Sequence, residues 1–220
     1  MIRQRIYILC VFLFFCFCLL TAVTPERRAT EGRPPSAAKV HLLHADRLFF
    51  DDRVHRTAQI LVGNVQLSHE GMLMNCDSAL FYEATNSFDA YGNVHMNQGD
   101  TVLLDSEVFY YNGTDRLARA RHYVVLKHGT MTIYTDSLDY DRLYNLGYFF
   151  EGGRVLDHDN ELTSDWGEYS PVTHEAVFNY NVRLVNPAPP ARPQTILSSD
   201  TLHYNTETAI AHIVGPSNIK

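Results

Sequence analysis

Residues Leu61–Tyr82 read LVGNVQLSHEGMLMNCDSALFY. The phrase Gly63-Asn64-Val65 closes one segment, the turn cluster Ser68-His69-Glu70-Gly71 follows, and Cys76-Asp77-Ser78 with an aromatic at Phe81 opens the next. Turn residues of this kind between two apolar runs mark a hairpin. The fold follows from how often the chain repeats this junction.

The opening phrase recurs as HADRLFF, NCDSALF, LDSEVFY, TDSLDYD, SDWGEYS and SDTLHYN, with its acid at Asp46, Asp77, Asp105, Asp136, Asp165 and Asp200. Four residues after each acid stands an aromatic: Phe50, Phe81, Phe109, Tyr140, Tyr169 and Tyr204. An aliphatic landmark follows each acid by 17 or 19 residues, at Val65, Val94, Val124, Val155, Val182 and Ile219. Both separations are odd and they differ by two, so every unit keeps the same sheet face for the same residue. Internal periodicity of this length is the mark of stacked supersecondary units.

Within a unit the alternation is that of half-buried strands. In FDAYGNVHMN, Phe88, Ala90, Val94 and Met96 share one face, and in AVFNYNVRLV, Ala176, Phe178, Tyr180, Val182 and Leu184 do so. Turn clusters such as EATNS, YNGTD, NQGD, KHGT and DHDNE separate the strands. Each unit reads as two strands and two turns, the fifth being interrupted by the Pro-rich NPAPPARPQ. The expected fold is all-β, a repetitive antiparallel stack of about six two-strand units. A lone carboxylate on the aromatic's face would be costly to bury, so the repeated Asp is expected at a bend or bulge before the strand, its oxygens accepting backbone N–H groups. Six copies argue for an architectural role rather than a catalytic one.

The N-terminus places Arg3 and Arg5 before an apolar run from Ile6 to Leu20 and the smaller Thr21-Ala22-Val23. That order is an export signal, residues 1–24 being either a cleaved signal peptide or a retained membrane anchor. Residues 25–39 read as a linker and 40–220 as the β domain. The domain is thereby expected outside the cytoplasm. Of four cysteines, three (Cys10, Cys16, Cys18) lie in the leader, which leaves Cys76 alone and rules out a disulfide within the domain. The formal net charge is −7, and more negative still without Arg3 and Arg5. This balance argues against nucleic acid as a partner, because that affinity comes from cationic contacts to phosphate.

The Asp-(Ser/Thr)-x-x-aromatic phrase, the Gly-Asn-Val strand, the antiparallel repeat and the export signal together resemble the OstA-like family, to which the LptA-type periplasmic proteins of lipopolysaccharide transport belong. The resemblance runs from about Lys39 to Lys220. It implies an open, twisted β-jellyroll whose interior is an apolar groove for the acyl chains of lipopolysaccharide or its lipid A part. It also implies units that stack end to end within and between chains, so that partners would be other transport components or further copies joined through edge strands. The chain would be a periplasmic transport protein and not an enzyme, with no cofactor. The candidate lipid-lining set is Val65, Leu67, Phe88, Val94, Met96, Val124, Leu126, Phe178, Val182 and Leu184. At about 0.8 kcal/mol per buried methylene, such walls need no elaborate specificity. The third unit lacks the glycine before its valine, the sixth reads GPSNI, and the final strand is expected to be an unpaired edge.

Other motifs carry less. His41 and His44 in HLLH would point to different strand faces, so a metal site is not expected. DHDNE alternates oxygen ligands without a full calcium loop. No nucleophile elbow, phosphate-binding loop or Cys-His pair is present. The rival reading is an extracellular β adhesin or polysaccharide-binding protein, which calls for a filled interior and exposed aromatics on the outer face.

Overall fold

The computed structural model describes residues 38–51, 53, 55–99, 102–186 and 194–220. The leader expected at 1–24, the linker expected at 25–39 apart from its last two residues, and the Pro-rich stretch 187–193 of the fifth unit lie outside them. The strands are β1 (His41–His44), β2 (Arg47–Asp51), β3 (His55–His69), β4 (Met72–Tyr82), β5 (Ser87–Gln98), β6 (Val102–Asn112), β7 (Leu117–His128) and β8 (Met131–Asp141). They continue as β9 (Leu146–Phe149), β10 (Gly153–Asp157), β11 (Asn160–Ser164), β12 (Trp166–Ser170), β13 (Glu175–Asn186), β14 (Thr195–Asn205) and β15 (Ile210–Ile219). All join one antiparallel sheet in which successive hairpins lie side by side. Among the described residues a single 3₁₀ turn at Glu83–Thr85 interrupts them.

Every long strand has two halves. β8 pairs with β9 along one half and with β10 along the other, and β13 pairs with β12 and β11 in the same way. β9–β10 and β11–β12 are therefore single repeat strands cut at the middle. The halves near the turns at 83–86, 113–116, 142–145, 171–174 and 206–209 form an upper arm, and those near 70–71, 129–130 and 158–159 a lower arm.

The bend between the arms has a repeated chemistry. Just before the landmark residue, two successive residues take the left-handed conformation: Gly63-Asn64 (φ 84 and 46), Gly92-Asn93 (φ 73 and 44), His122-Tyr123 (φ 65 and 53) and Tyr180-Asn181 (φ 64 and 52). One residue too many is thereby fitted into the strand, and the pairing register shifts. The acid of the neighbouring strand meets this corner. Asn64, Asn93 and Asn181 each donate an Nδ2 hydrogen bond to Asp46 (3.0 Å), Asp77 (2.8 Å) and Asp165 (2.6 Å) respectively. The expected backbone N–H partners are realised only at Asp136, which accepts from the Tyr123 amide at 3.2 Å and lies 3.3 Å from His122 Nδ1. Asparagine supplies the donor elsewhere because its left-handed backbone turns the amide side chain back toward the acid.

A second bridge stands one residue earlier. Cys76, Ser106, Thr135, Ser164 and Ser199 each donate through sulfur or hydroxyl to the carbonyl two residues ahead, at 2.9 to 3.3 Å. This satisfies a carbonyl that the bend takes out of the ladder. These residues face the landmark positions, as in the pairs Val94–Ser106, Val124–Thr135 and Val182–Ser199. The register corrects three positions read from sequence. In the third unit the corner acid is Glu107, next to Ser106, whereas Asp105 lies two residues earlier and binds His95 Nδ1 at 2.6 Å on the outer face. In the fourth unit the residue opposite Thr135 is Gly153, not Val155, and in the sixth the residue opposite Ser199 is Ser217, not Ile219. A slip of two leaves every face unchanged, so alternation could not detect it. Asp200 is exposed at the last corner.

The corner also displaces Tyr180. Read by alternation it belongs inside, but at φ 64 it stands on the bend and is 66% exposed. Phe88, Ala90, Val94 and Met96 are buried, as are Ala176, Phe178 and Val182. Folding at the corners brings the apolar faces of the arms together in two clusters, one built from β3 to β8 and the other from β8 to β14, with Leu126 touching both.

A methyl group at Gly92 would lie 2.5 Å from Asp77 Oδ2, whereas one at Gly71, also left-handed at φ 81, would meet nothing within 4 Å. Gly71→Ala should cost about 1–2 kcal/mol for the backbone alone, and Gly92→Ala about 1–3 kcal/mol more. Urea unfolding of the two variants checks this, and equal losses would remove the corner acid from the account.

Candidate functional site

The two clusters do not meet flush. Between the arms at their junction lies a cavity of about 140 Å³, with Met96, Leu104 and Phe109 on one side and Met131, Ile133 and Phe149 on the other. Its existence follows from small residues on the inward face. At Gly147 a methyl would sit 3.6 Å from Tyr140 Cδ2, an ordinary contact, so the space there is one that a side chain could have filled. Gly153 and Gly167 do a different job. A methyl at either would lie 2.5 Å from the Phe149 ring, which packs directly on their backbones and forms one wall.

The arm tips are laced together by polar pairs, each crossing from lower to upper arm. Asn86 accepts from the Val40 amide at 2.7 Å and donates to the Ala38 carbonyl at 2.9 Å. His69 Nε2 lies 2.9 Å from the Tyr111 hydroxyl, and Arg142 is paired with Glu70. Further along, His128 Nδ1 lies 3.2 Å from the Tyr169 hydroxyl, and Tyr204 donates to Asp157 at 2.7 Å. Asp157, almost wholly buried, also accepts from Thr130 at 2.7 Å. These pairs close the long seam where the two arm tips approach each other. His69, Tyr111, Arg142, His128 and Tyr169 also line the cavity, so its mouth is framed by two such clasps.

Arg142 Nη1 also donates to the Tyr111 hydroxyl at 3.3 Å, so Tyr111 joins the two pairs of the first clasp. Burial, which penalises the charged ring, lowers the pKa of His69 and that of His128. Burial likewise raises the pKa of Tyr169, and that of Tyr204 is raised by burial and by its bond to Asp157.

Of the residues expected to line a groove, Met96, Leu126 and Phe178 border the cavity. Val65, Leu67, Phe88, Val94, Val124 and Val182 lie in the closed interior, with nearly all of their surface covered by protein. Leu184 is half-buried against the second cluster. The glycine and tyrosine-histidine elements were not read from the sequence. One signal was present: the aromatic of the repeated phrase is Phe in the first three units and Tyr in the last three, and a buried tyrosine needs a polar partner.

Among the described residues no three His, Cys, Asp or Glu side chains stand close enough to share a metal ion, and no helix is long and apolar enough to cross a membrane. A family model described as OstA-like protein matches residues 37–189. The chain belongs to the OstA-like family. The OstA-like match takes in β1 to β13 with the cavity, the seam apart from Tyr204, and every corner up to Asn181. Among solved structures, LptH from Pseudomonas aeruginosa, described as the LptA-homologous periplasmic component of the lipopolysaccharide transport device, is similar at 9% identity. It aligns over 54% of this OstA-like chain and 93% of its own with a TM-score of 0.45. No curated protein sequence matches this chain.

Because burial lowers the pKa of His69 and His128, the unfolded chain takes up protons near the ordinary histidine pKa of 6.5 that the folded chain does not. Their contribution to stability is complete above that value and is lost as the pH falls toward the lowered one. Urea midpoints should drop between pH 7 and pH 5, and the slope should be shallower in His69→Asn/His128→Asn. An unchanged slope in that variant would show that neither ring is linked to folding.

Proposed function

We propose that this chain binds the lipid part of lipopolysaccharide inside its folded sheet and passes it toward the outer membrane. The observation that carries the reading is an apolar cavity at the centre of an OstA-like jellyroll, framed by a seam of polar pairs rather than by continuous packing. Transfer of acyl chains from water to such an interior is worth about 0.8 kcal/mol per methylene, and movement along it requires no chemistry of the protein. Work done elsewhere would drive the transfer. The family resemblance and the leader-like N-terminus support a periplasmic setting for this activity. At the two ends of the sheet, exposed Leu48 and Phe50 on β2 and Ile219 on β15 support pairing with other transport components or with further copies.

The polysaccharide-binding reading keeps one observation of its own. Tyr123, Phe150 and Tyr180 stand exposed at successive bends of the outer ridge, where aromatic faces could meet sugar rings.

One experiment separates the two readings. A photo-crosslinking residue is placed at Met131 or Tyr140 beside the cavity, or at Tyr180 outside, and the adduct formed in lipopolysaccharide-producing cells is identified. Lipopolysaccharide on the inner positions and not on Tyr180 is the expected result. Folded protein with no inner adduct would remove the transport reading, and capture of glycan at Tyr180 alone would favour the second.

A further inference from the structure

The interior does not offer the same space along its length. From β3 to β5 the inward residues Leu61, Val65, Leu67 and Phe88 are fully covered by protein. Among the described residues, room appears where β9 presents Gly147 toward Tyr140 and Tyr169. The volume, about 140 Å³, is close to that of engineered apolar cavities of about 150 Å³ that hold one benzene molecule. It suits about six carbon atoms and not a bundle of chains. The walls are hydrocarbon and aromatic, while the mouth carries one permanently cationic group, Arg142, whose present partner Glu70 is a half-exposed carboxylate on a two-residue turn.

Resting on the reading that the interior holds lipid, we infer that this cavity is a site for a single short acyl chain of an anionic lipid, entered sideways through the seam, with Arg142 exchanging Glu70 for the lipid's acidic group. The charge at the mouth supports an acidic head, because Arg142 can pair with a phosphate or carboxylate in the way it pairs with Glu70. Entry requires the clasp between Glu70 and Arg142 to open while Asn86, His128–Tyr169 and Tyr204–Asp157 stay closed. The Tyr111 ring stays in place during the exchange, since Arg142 stacks over it with its guanidinium carbon 5.9 Å from the ring centre. The specificity is therefore for one chain and one negative charge.

The test uses the full chain in cell membranes and two photoreactive probes of about eight carbons, sized to the cavity, a fatty acid and the matching alcohol, each with a diazirine near the methyl end. After illumination the labelled peptides are mapped. The acid should label the segments from Met131 to Leu138 and from Leu146 to Phe149 at least tenfold more than the segment from Leu61 to Leu67. Gly147→Leu should abolish that labelling. Gly147→Ala, which fits without collision, should reduce it several-fold and guards against a folding defect in the larger variant. Arg142→Gln should lower labelling by the acid about tenfold and leave labelling by the alcohol unchanged. Labelling spread evenly over the interior, or indifferent to both Gly147 variants, overturns the single-chain site. An equal loss for acid and alcohol in Arg142→Gln overturns the charge exchange. Either failure alongside lipopolysaccharide adducts at Met131 sinks this inference alone, whereas the absence of lipid from every inner position sinks the transport reading with it.

Discussion

A sheet with one apolar face and fifteen strands can bury that face only by closing on itself, and the corner makes the closure possible. At each bend an extended chain must absorb an extra residue without turning its side chains over. Two left-handed residues do this at a conformational cost, which glycine and asparagine keep small. The acid on the next strand then ties the asparagine down, and a hydroxyl or thiol covers the stranded carbonyl. Where the chain uses His122-Tyr123 or Tyr180-Asn181 instead of Gly-Asn, the acid still finds a donor. The geometry is therefore constrained more tightly than the residue that fulfils it.

This explains what could be read in advance. The strands, their inward residues and the repeat were legible because alternation and turn chemistry are local. Asp77 with Phe81 or Asp165 with Tyr169 could be found by spacing alone. The register of the third unit could not: Asp105 and Glu107 are both acids with an aromatic four residues on, and only Ser106, bridging to Val108, distinguishes them. Tyr180 misled for the same reason, since a period of two carries no information about where a bend suspends it.

The site was less legible than the fold. Its apolar residues were visible as a face, but whether a face closes or leaves a space depends on what stands opposite. Gly147 on one strand means nothing until Tyr140 and Tyr169 are known to flank it. The clasps are less local still, for His69 and Tyr111 are 42 residues apart and Tyr204 and Asp157 are 47. The choice of Tyr over Phe in the later units was the one trace they left in the sequence.

The hairpins pair chiefly with their sequence neighbours, and each clasp ties units no more than three apart. Free energy in such a stack is close to a sum over adjacent pairs, as in other repeat proteins, so a break at one place is not transmitted far along the array. The seam thus behaves less like the lid of a box than like a zip fastener, in which a few teeth can part while the cloth on either side stays joined.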